Sequence, residues 1–200
     1  AIVRGAMSEF KPDVLWFMTD PRFYHWLWDI EDEIRDKVPM VYYHVWDNYP
    51  YPTYNASYYN SNDVICTISK LTDDIVKTVA PNVTSIHLPH AVDTSIFKKI
   101  KKEKIQDLRN NITGNKPEKK VFFWNNRNAR RKQSGTLIYW FKEFLDKIGK
   151  DAACLLMHTE PNDPHGQDLV AIIEELGLVN GEVAFSMQKL QPEELANVYS

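Results

Sequence analysis

The chain has 200 residues and a formal net charge of -3 at pH 7. Hydrophobic residues make up 44% and charged residues 26%, a globular composition that argues against a disordered or fibrous chain. Without an excess of positive charge, we expect no nucleic-acid partner and at most peripheral contact with a membrane. Cys66 and Cys154 lie too far apart in sequence for a metal-binding spacing, which argues against a zinc module or a disulfide framework. The composition predicts a soluble cytoplasmic protein.

The first half of the chain alternates short apolar runs with amphipathic segments. A weakly helical pattern over 1–10 is followed by predicted strands and helices. The first predicted strand, 14–18, is expected to be buried on both faces because its apolar run is continuous. A cap at Thr19-Asp20-Pro21 begins the next helix. This alternation predicts α/β units with a parallel sheet. The strands are predicted at 14–18, 40–46, 63–69 and 83–88, and the helices at 23–37 and 69–79.

The second half of the chain repeats this alternation of predicted strands and helices after a polar interval. Residues 98–120 are lysine-rich, carry few large apolar side chains after Leu108, and predict a linker. Two Rossmann-like parallel-sheet pieces, 1–97 and 121–200, are therefore expected on either side of it. In the second piece, strands are predicted at 121–124, 152–157 and 182–186, and helices at 134–148, 168–176 and 193–199. Ser134 is predicted to cap the first of these helices.

The most basic segment of the chain directly follows the predicted strand at 121–124. Residues 125–132 read NNRNARRK and hold four cations and three amides just before a predicted helix. Ligands bind at the carboxyl ends of parallel strands, and cationic side chains at a helix N-terminus suit a phosphate or diphosphate. A solvated basic turn and a small RNA patch are the alternatives. The sequence has no glycine-rich phosphate loop, so side chains would do more of the binding than backbone amides.

Two histidines stand at predicted strand ends. His44 is a candidate acid, base or hydrogen-bond donor to a sugar hydroxyl, or else a histidine hydrogen-bonded in an aromatic pocket with Trp46 and Tyr49. His158 is a similar candidate, and with the nearby Asp163 it could instead orient its own loop. These residues lie on different strand ends without helical pairing, so no metal site is predicted.

Several segments resemble motifs of the group 1 (family 4) glycosyltransferases. Residues 88–97, LPHAVDTSIF, resemble the LPNGVDTxxF segment of that family. The strand at 121–124 with Arg127 and Lys132 is similar to the VGRLxxxKG stretch. The succession LLMH, VAF and EELANVY after it follows the order of further family motifs. The resemblance implies a GT-B architecture, in which 1–97 is the later part of the acceptor-side domain and 121–200 the first part of the nucleotide-sugar donor domain.

The resemblance also implies an activity and a set of site residues. It implies retaining transfer of a sugar from a nucleotide-sugar donor to a carbohydrate or other hydroxyl acceptor, without a cofactor and without a metal. Arg127 and Lys132 match the residues that bind the donor diphosphate, and His44 matches a strand-end histidine near the donor sugar or acceptor, a candidate catalytic residue. Asn126 and His158 stand where the family has glycine. The donor pocket is expected to include Asn125, Asn126 and His158.

Two further segments of the family are not among the matched motifs: the acidic E-x7-E motif is expected beyond Ser200 and the first glycine-rich loop before Ala1. We therefore expect an internal fragment that lacks both ends of a longer enzyme and is inactive by itself. Two other functions stay open at this point. One is a non-catalytic module that binds phosphosugars or nucleotides, and the other is a sugar-nucleotide epimerase of the same architecture.

Overall fold

The computed structural model describes residues 2–200, and the chain divides after Ala91 into two compact units. The first unit contains a sheet of four strands and the second a sheet of three. Every strand pair in these two sheets is parallel. The predicted fold class, α/β with two Rossmann-like parallel-sheet pieces, is confirmed.

The first unit places its strands in the order β1-β2-β3-β4. The helix α5 begins after Ser69, whose Oγ accepts a hydrogen bond from the Thr72 N–H (3.1 Å) and so caps the helix, which the sequence predicts over 69–79. The strands are β1 (Leu15–Met18), β2 (Met40–His44), β3 (Val64–Thr67) and β4 (Thr84–His87). The helices are α1 (Ile2–Phe10), α2 (His25–Trp28), α3 (Glu31–Arg35), α4 (Ala56–Asn60) and α5 (Lys70–Val79), with 3-10 helices at Pro21–Phe23 and Thr53–Asn55.

One face of the first sheet packs against helices. Phe17, Tyr42 and Ile65, on adjacent strands, belong to a single buried cluster with apolar side chains from α1 to α5. Trp16 and Met18 point to the opposite face and are 56% and 52% exposed. The prediction that the first strand is buried on both faces is therefore wrong. Alternate side chains of a strand point to opposite faces, and only one face of β1 is packed within residues 2–200.

The helix predicted over 23–37 is broken into three short pieces. The Asp20 side chain accepts a backbone N–H two residues later (3.4 Å) and so caps the 3-10 helix Pro21–Phe23, not one long helix. Tyr24 and Ile30, which precede α2 and α3, have φ near -121° with ψ of 25° and 22°, outside the helical region. The apolar periodicity continues across these breaks, which is why the sequence reads as one helix.

The second unit carries helices on both faces of its sheet. Leu155 and Met157 of its central strand pack in one cluster with α7 and α8, while Tyr199 of α9 lies edge-on to Phe123 on the other face, with ring centroids 5.1 Å apart. The bounds of α7 coincide with the predicted 134–148. The strands are β5 (Lys120–Asn125), β6 (Ala153–His158) and β7 (Val183–Ser186), and the helices are α6 (Lys102–Thr113), α7 (Ser134–Ile148), α8 (Leu169–Glu175) and α9 (Pro192–Tyr199).

The interval 98–120, predicted as a linker, contains the helix α6. Its partly buried side chains Ile105, Leu108 and Ile112 recur at helical spacing. The Sγ of Cys154, on β6, lies 3.9 Å from the Ile112 carbonyl oxygen, so the helix contacts the second sheet. Gly114, in the left-handed region with φ 63°, ends α6. The low apolar content of the interval hides this helix, although the spacing of its three apolar residues indicates it.

Candidate functional site

The carboxyl edge of the second sheet brings together polar side chains from three adjacent strands. Asn125, His158 and Ser186 are register partners at the ends of β5, β6 and β7. Nδ1 of His158 lies 2.9 Å from the Ser186 hydroxyl, and Nδ2 of Asn125 donates to the Tyr199 hydroxyl (3.0 Å). Ligands of open parallel sheets bind outside this edge. Asn126 follows directly and is partly buried.

Arg127, two residues beyond the end of β5, forms a bidentate ion pair. Its Nε donates to Oδ2 of Asp163 (2.6 Å) and its Nη2 to Oδ1 (3.1 Å). The same Nη2 lies 3.0 Å from Nδ1 of His165. The hydrogen bonds from Arg127 hold the pKa of Asp163 well below its usual range, and Asp163 in turn raises the pKa of Arg127. The Arg127 side chain is 61% exposed, and its Nη1 has no protein partner among residues 2–200.

A buried amide ties the basic loop, residues 125–132, to the β6–α8 loop, residues 159–168. Asn128 is 1% exposed. Its Nδ2 donates to the carbonyl oxygens of Pro161 (3.0 Å) and Gln167 (2.7 Å), and its Oδ1 accepts the Gln167 N–H (3.4 Å). Backbone contact adds to this, because the Arg130 N–H donates to the His165 carbonyl (3.2 Å). The two loops therefore hold each other in place.

The helix α7 begins where the basic loop ends. Gln133 precedes it in the left-handed region (φ 57°), and the Gly135 N–H donates to Oε1 of Gln167 (2.9 Å). The prediction that Ser134 caps this helix is wrong, because its hydroxyl is buried and makes no hydrogen bond within residues 2–200. Lys132 is partly buried, and the structure gives it no carboxylate partner in that range. A lysine at this position adds positive charge to that of the helix N-terminus.

The two predicted diphosphate ligands lie at different points of the basic loop. Arg127 is held by the β6–α8 loop, whereas the Lys132 N–H donates to the Ala129 carbonyl (2.7 Å) in the 3-10 turn before α7. Sequence reasoning placed Asp163 beside His158 as an orienting residue and missed its pairing with Arg127. The two residues are 36 positions apart, and no local pattern signals that contact.

His44 lies in the first unit, buried to 1% exposure at the end of β2. Its Nδ1 is 2.7 Å from the Tyr42 hydroxyl and its Nε2 is 2.7 Å from the Tyr59 hydroxyl. The Tyr42 hydroxyl donates to the Thr19 carbonyl (2.9 Å), so it accepts from Nδ1–H of His44, and Nε2 accepts from Tyr59. Burial lowers the pKa of His44 to about 3, so the ring is neutral at pH 7.

These contacts match the alternative in which His44 is hydrogen-bonded inside an aromatic pocket. Its ring stacks on Trp46 with centroids 6.2 Å apart. Tyr49, the other residue named for that pocket, is 89% exposed and takes no part in it. The tyrosines that hold the ring, Tyr42 and Tyr59, come from β2 itself and from α4.

Within residues 2–200, no group of three or more His, Cys, Asp or Glu side chains is arranged to hold a metal ion. Over the same residues, none of the helices combines the length and the apolar character needed to cross a bilayer. Cys66 and Cys154 are buried free thiols, and burial raises the pKa of both. Neither is therefore poised as a thiolate at neutral pH.

Solved glycosyltransferases share the fold of this chain. A glycosyltransferase from Rickettsia africae ESF-5 is 13% identical, with a TM-score of 0.69 over 99% of this chain and 52% of its own. An α,α-trehalose 6-phosphate synthase from Burkholderia multivorans is 12% identical, with a TM-score of 0.69 over 99% and 52%. Anabaena HepE, solved in complex with UDP and glucose, is 13% identical, with a TM-score of 0.67 over 98% and 53%. No protein-family model matches the chain, and no curated protein matches it significantly.

At such identities the likeness shows the fold. These neighbours are GT-B glycosyltransferases, and the two parallel sheets of this chain have the Rossmann-like form of part of that architecture. The chain spans about half the length of the neighbours, 52% of the Rickettsia africae protein for example.

Proposed function

We propose that the chain is part of a retaining glycosyltransferase that takes a nucleotide-sugar donor. The fold that it shares with solved glycosyltransferases supports this proposal, as do the segments that resemble family 4 motifs. Among the neighbours, HepE was solved with UDP and glucose and an Escherichia coli trehalose-6-phosphate protein with UDP-2-fluoro glucose. A UDP-sugar is therefore the donor that we propose to test first.

The observation that carries the proposal is the basic loop at the carboxyl edge of the second sheet. In our proposal, Arg127 and Lys132 bind the donor diphosphate and neutralise the charge that develops on the leaving nucleoside diphosphate. The guanidinium of Arg127 is exposed and oriented, and Lys132 lies in the 3-10 turn just before the 15-residue helix α7, whose N-terminus favours anions. These side chains supply the positive charge in a transfer that we propose to be metal-independent.

The remaining predicted residues take different places in this proposal. The donor pocket is formed by Asn125, Asn126 and His158, because Asn125 and Asn126 begin the basic loop and His158 ends the neighbouring strand β6. We propose no proton transfer by His44, since its ring is buried and tyrosine hydroxyls engage both of its nitrogens. It serves instead to hold the end of β2 in place. Residues 1–97 form the acceptor side and 121–200 the donor side.

We propose that the 200-residue chain binds the donor nucleotide and does not transfer sugar by itself. In the family that it resembles, the acidic E-x7-E motif and the first glycine-rich loop hold the donor sugar and the ribose, and neither is among the motifs that this chain matches. Assay of UDP release from UDP-glucose, with and without glucose as acceptor, tests this directly. Turnover by the chain alone would contradict it.

Calorimetric titration with UDP and with UDP-glucose tests the binding site. Wild type, R127A and K132A are compared with K116A, which removes an exposed lysine of the same unit that pairs with Asp151. Because charge-assisted hydrogen bonds to phosphate are the strong ones, we expect R127A to weaken UDP binding about tenfold or more and K132A by a similar factor. K116A should bind as wild type does. Equal binding by R127A and wild type would refute the proposed site.

A further inference from the structure

We propose that Asp163 is a positioning residue, which orients Arg127 toward the phosphates of a bound nucleoside diphosphate. This inference rests on the function proposed above and concerns the same site. Asp163 lies in the β6–α8 loop, outside the basic loop that the motif resemblance covers. Its carboxylate approaches the guanidinium side-on through Nε and Nη2.

The carboxylate is the fixed member of this pair. Oδ1 of Asp163 accepts the His165 N–H (2.9 Å), and the Asp163 side chain is only 10% exposed. The Arg127 side chain is 61% exposed. Asp163 is thus held by its own loop, and the long arginine side chain is oriented against it.

The relation between the two loops is rigid for a separate reason. Asn128 is buried between them and bonds to Pro161 and to Gln167 on the far side. Gly166 lies against Asn128 too closely for any side chain at that position. Because neither loop can shift alone, the distance from Asp163 to the backbone of Arg127 is set before a ligand arrives.

The ion pair leaves one end of the guanidinium available. Nε and Nη2 of Arg127 donate to Asp163, so Nη1 keeps two N–H groups for an anion. An unrestrained arginine loses rotamer freedom when it grips a phosphate, and a guanidinium held in advance loses much less. The Asp163 charge also repels a phosphate, but solvent and salt around the exposed Arg127 side chain screen that repulsion. We therefore expect the orienting effect to prevail.

The test is a double-mutant cycle on the 200-residue chain, with UDP and inorganic pyrophosphate as titrants. In the wild-type background, D163N should weaken the binding of both UDP and pyrophosphate about fivefold to tenfold, because the unrestrained Arg127 side chain must then be ordered on binding. In the R127A background, D163N should have no further effect. D163E keeps the carboxylate and should restore binding to within about threefold of wild type. D151N removes an exposed carboxylate of the same unit and serves as the matched control.

An NMR signal reports the orientation without any ligand. The Arg127 Nε–H resonance should be slowly exchanging in wild type and D163E and averaged with solvent in D163N. Thermal unfolding of each variant shows whether it folds; if D163N does not, the same cycle is run with D163S.

The outcomes separate this inference from the proposed function. If R127A binds both titrants as wild type does, the proposed diphosphate site fails. If R127A weakens binding but D163N leaves it unchanged or tightens it, Asp163 does not position Arg127. Equal weakening by D163N in both backgrounds also overturns the inference, because the effect would not pass through Arg127.

Discussion

The carbonyl oxygen of Asn128 lies where a side chain on residue 166 would have to stand. A Cβ at Gly166 would be 2.1 Å from that oxygen and 2.6 Å from Cγ of Asn128. Both distances are far below ordinary contact, so only glycine allows the β6–α8 loop to approach the basic loop this closely. The contact links the conformation of Arg127, one residue before Asn128, to a loop far along the chain.

Replacing Gly166 by alanine should destabilise the protein by about 2–4 kcal/mol, because the added methyl group meets backbone that cannot move alone. The matched control is G5A in α1, where a Cβ would meet nothing within 4 Å. That change should be neutral or stabilise by up to about 1 kcal/mol. Urea unfolding of both variants measures the difference. A G166A protein as stable as wild type would contradict the close approach.

Replacing Asn128 by alanine should cost about 2–4 kcal/mol, since the change leaves polar groups of Pro161 and Gln167 without partners in a buried place. Amide exchange at Gln167 should accelerate in N128A. The control is N162A, in the same loop but with an exposed side chain, which should unfold as wild type does. If N128A and N162A had equal stability, Asn128 would not hold the two loops together.

His44 should make the first unit less stable in acid. Its pKa is lowered by burial from 6.5 to about 3, so between these values the unfolded chain binds a proton that the folded chain does not. The contribution is fully present above pH 6.5 and falls by up to about 1.4 kcal/mol per pH unit as the pH decreases through that window. Unfolding free energies of wild type and H44Q between pH 7 and 4.5 test this. The slope should be smaller in H44Q, and an unchanged slope would mean that His44 titrates normally.

Tyr59 to phenylalanine removes the hydroxyl that donates to Nε2 of His44. Since the nitrogen then lies buried without a partner, we expect a loss of about 1–3 kcal/mol. Tyr54 is 72% exposed, so Y54F is the control and should leave stability unchanged within about 0.5 kcal/mol. The Tyr59 hydroxyl itself has its pKa raised to about 12 by burial, so ultraviolet titration should show one fewer late-ionising tyrosine in Y59F. A Y59F protein with wild-type stability would argue against the hydrogen bond.

The alternation of apolar runs and amphipathic segments was enough to predict the class of fold and most of its strands. The helix α7 was predicted to the residue, because a 15-residue amphipathic pattern leaves little room for another interpretation. Over 23–37 the same kind of pattern failed. Tyr24 and Ile30 leave the helical region there, although the apolar period continues through them. The helix α6 was missed for the opposite reason, because three apolar residues among many lysines give only a weak helical pattern.

The sequence by itself determined the positions of the candidate binding residues along the chain. Arg127 and Lys132 follow a short apolar strand, and chain order alone brings the basic loop to the carboxyl end of that strand. Only the tertiary structure decided what those residues contact. Asp163 pairs with Arg127 across 36 positions, and Tyr59 of α4 binds His44 at the end of β2. Such contacts depend on how loops pack after the sheets form, and local propensity carries no information about partners so distant in sequence.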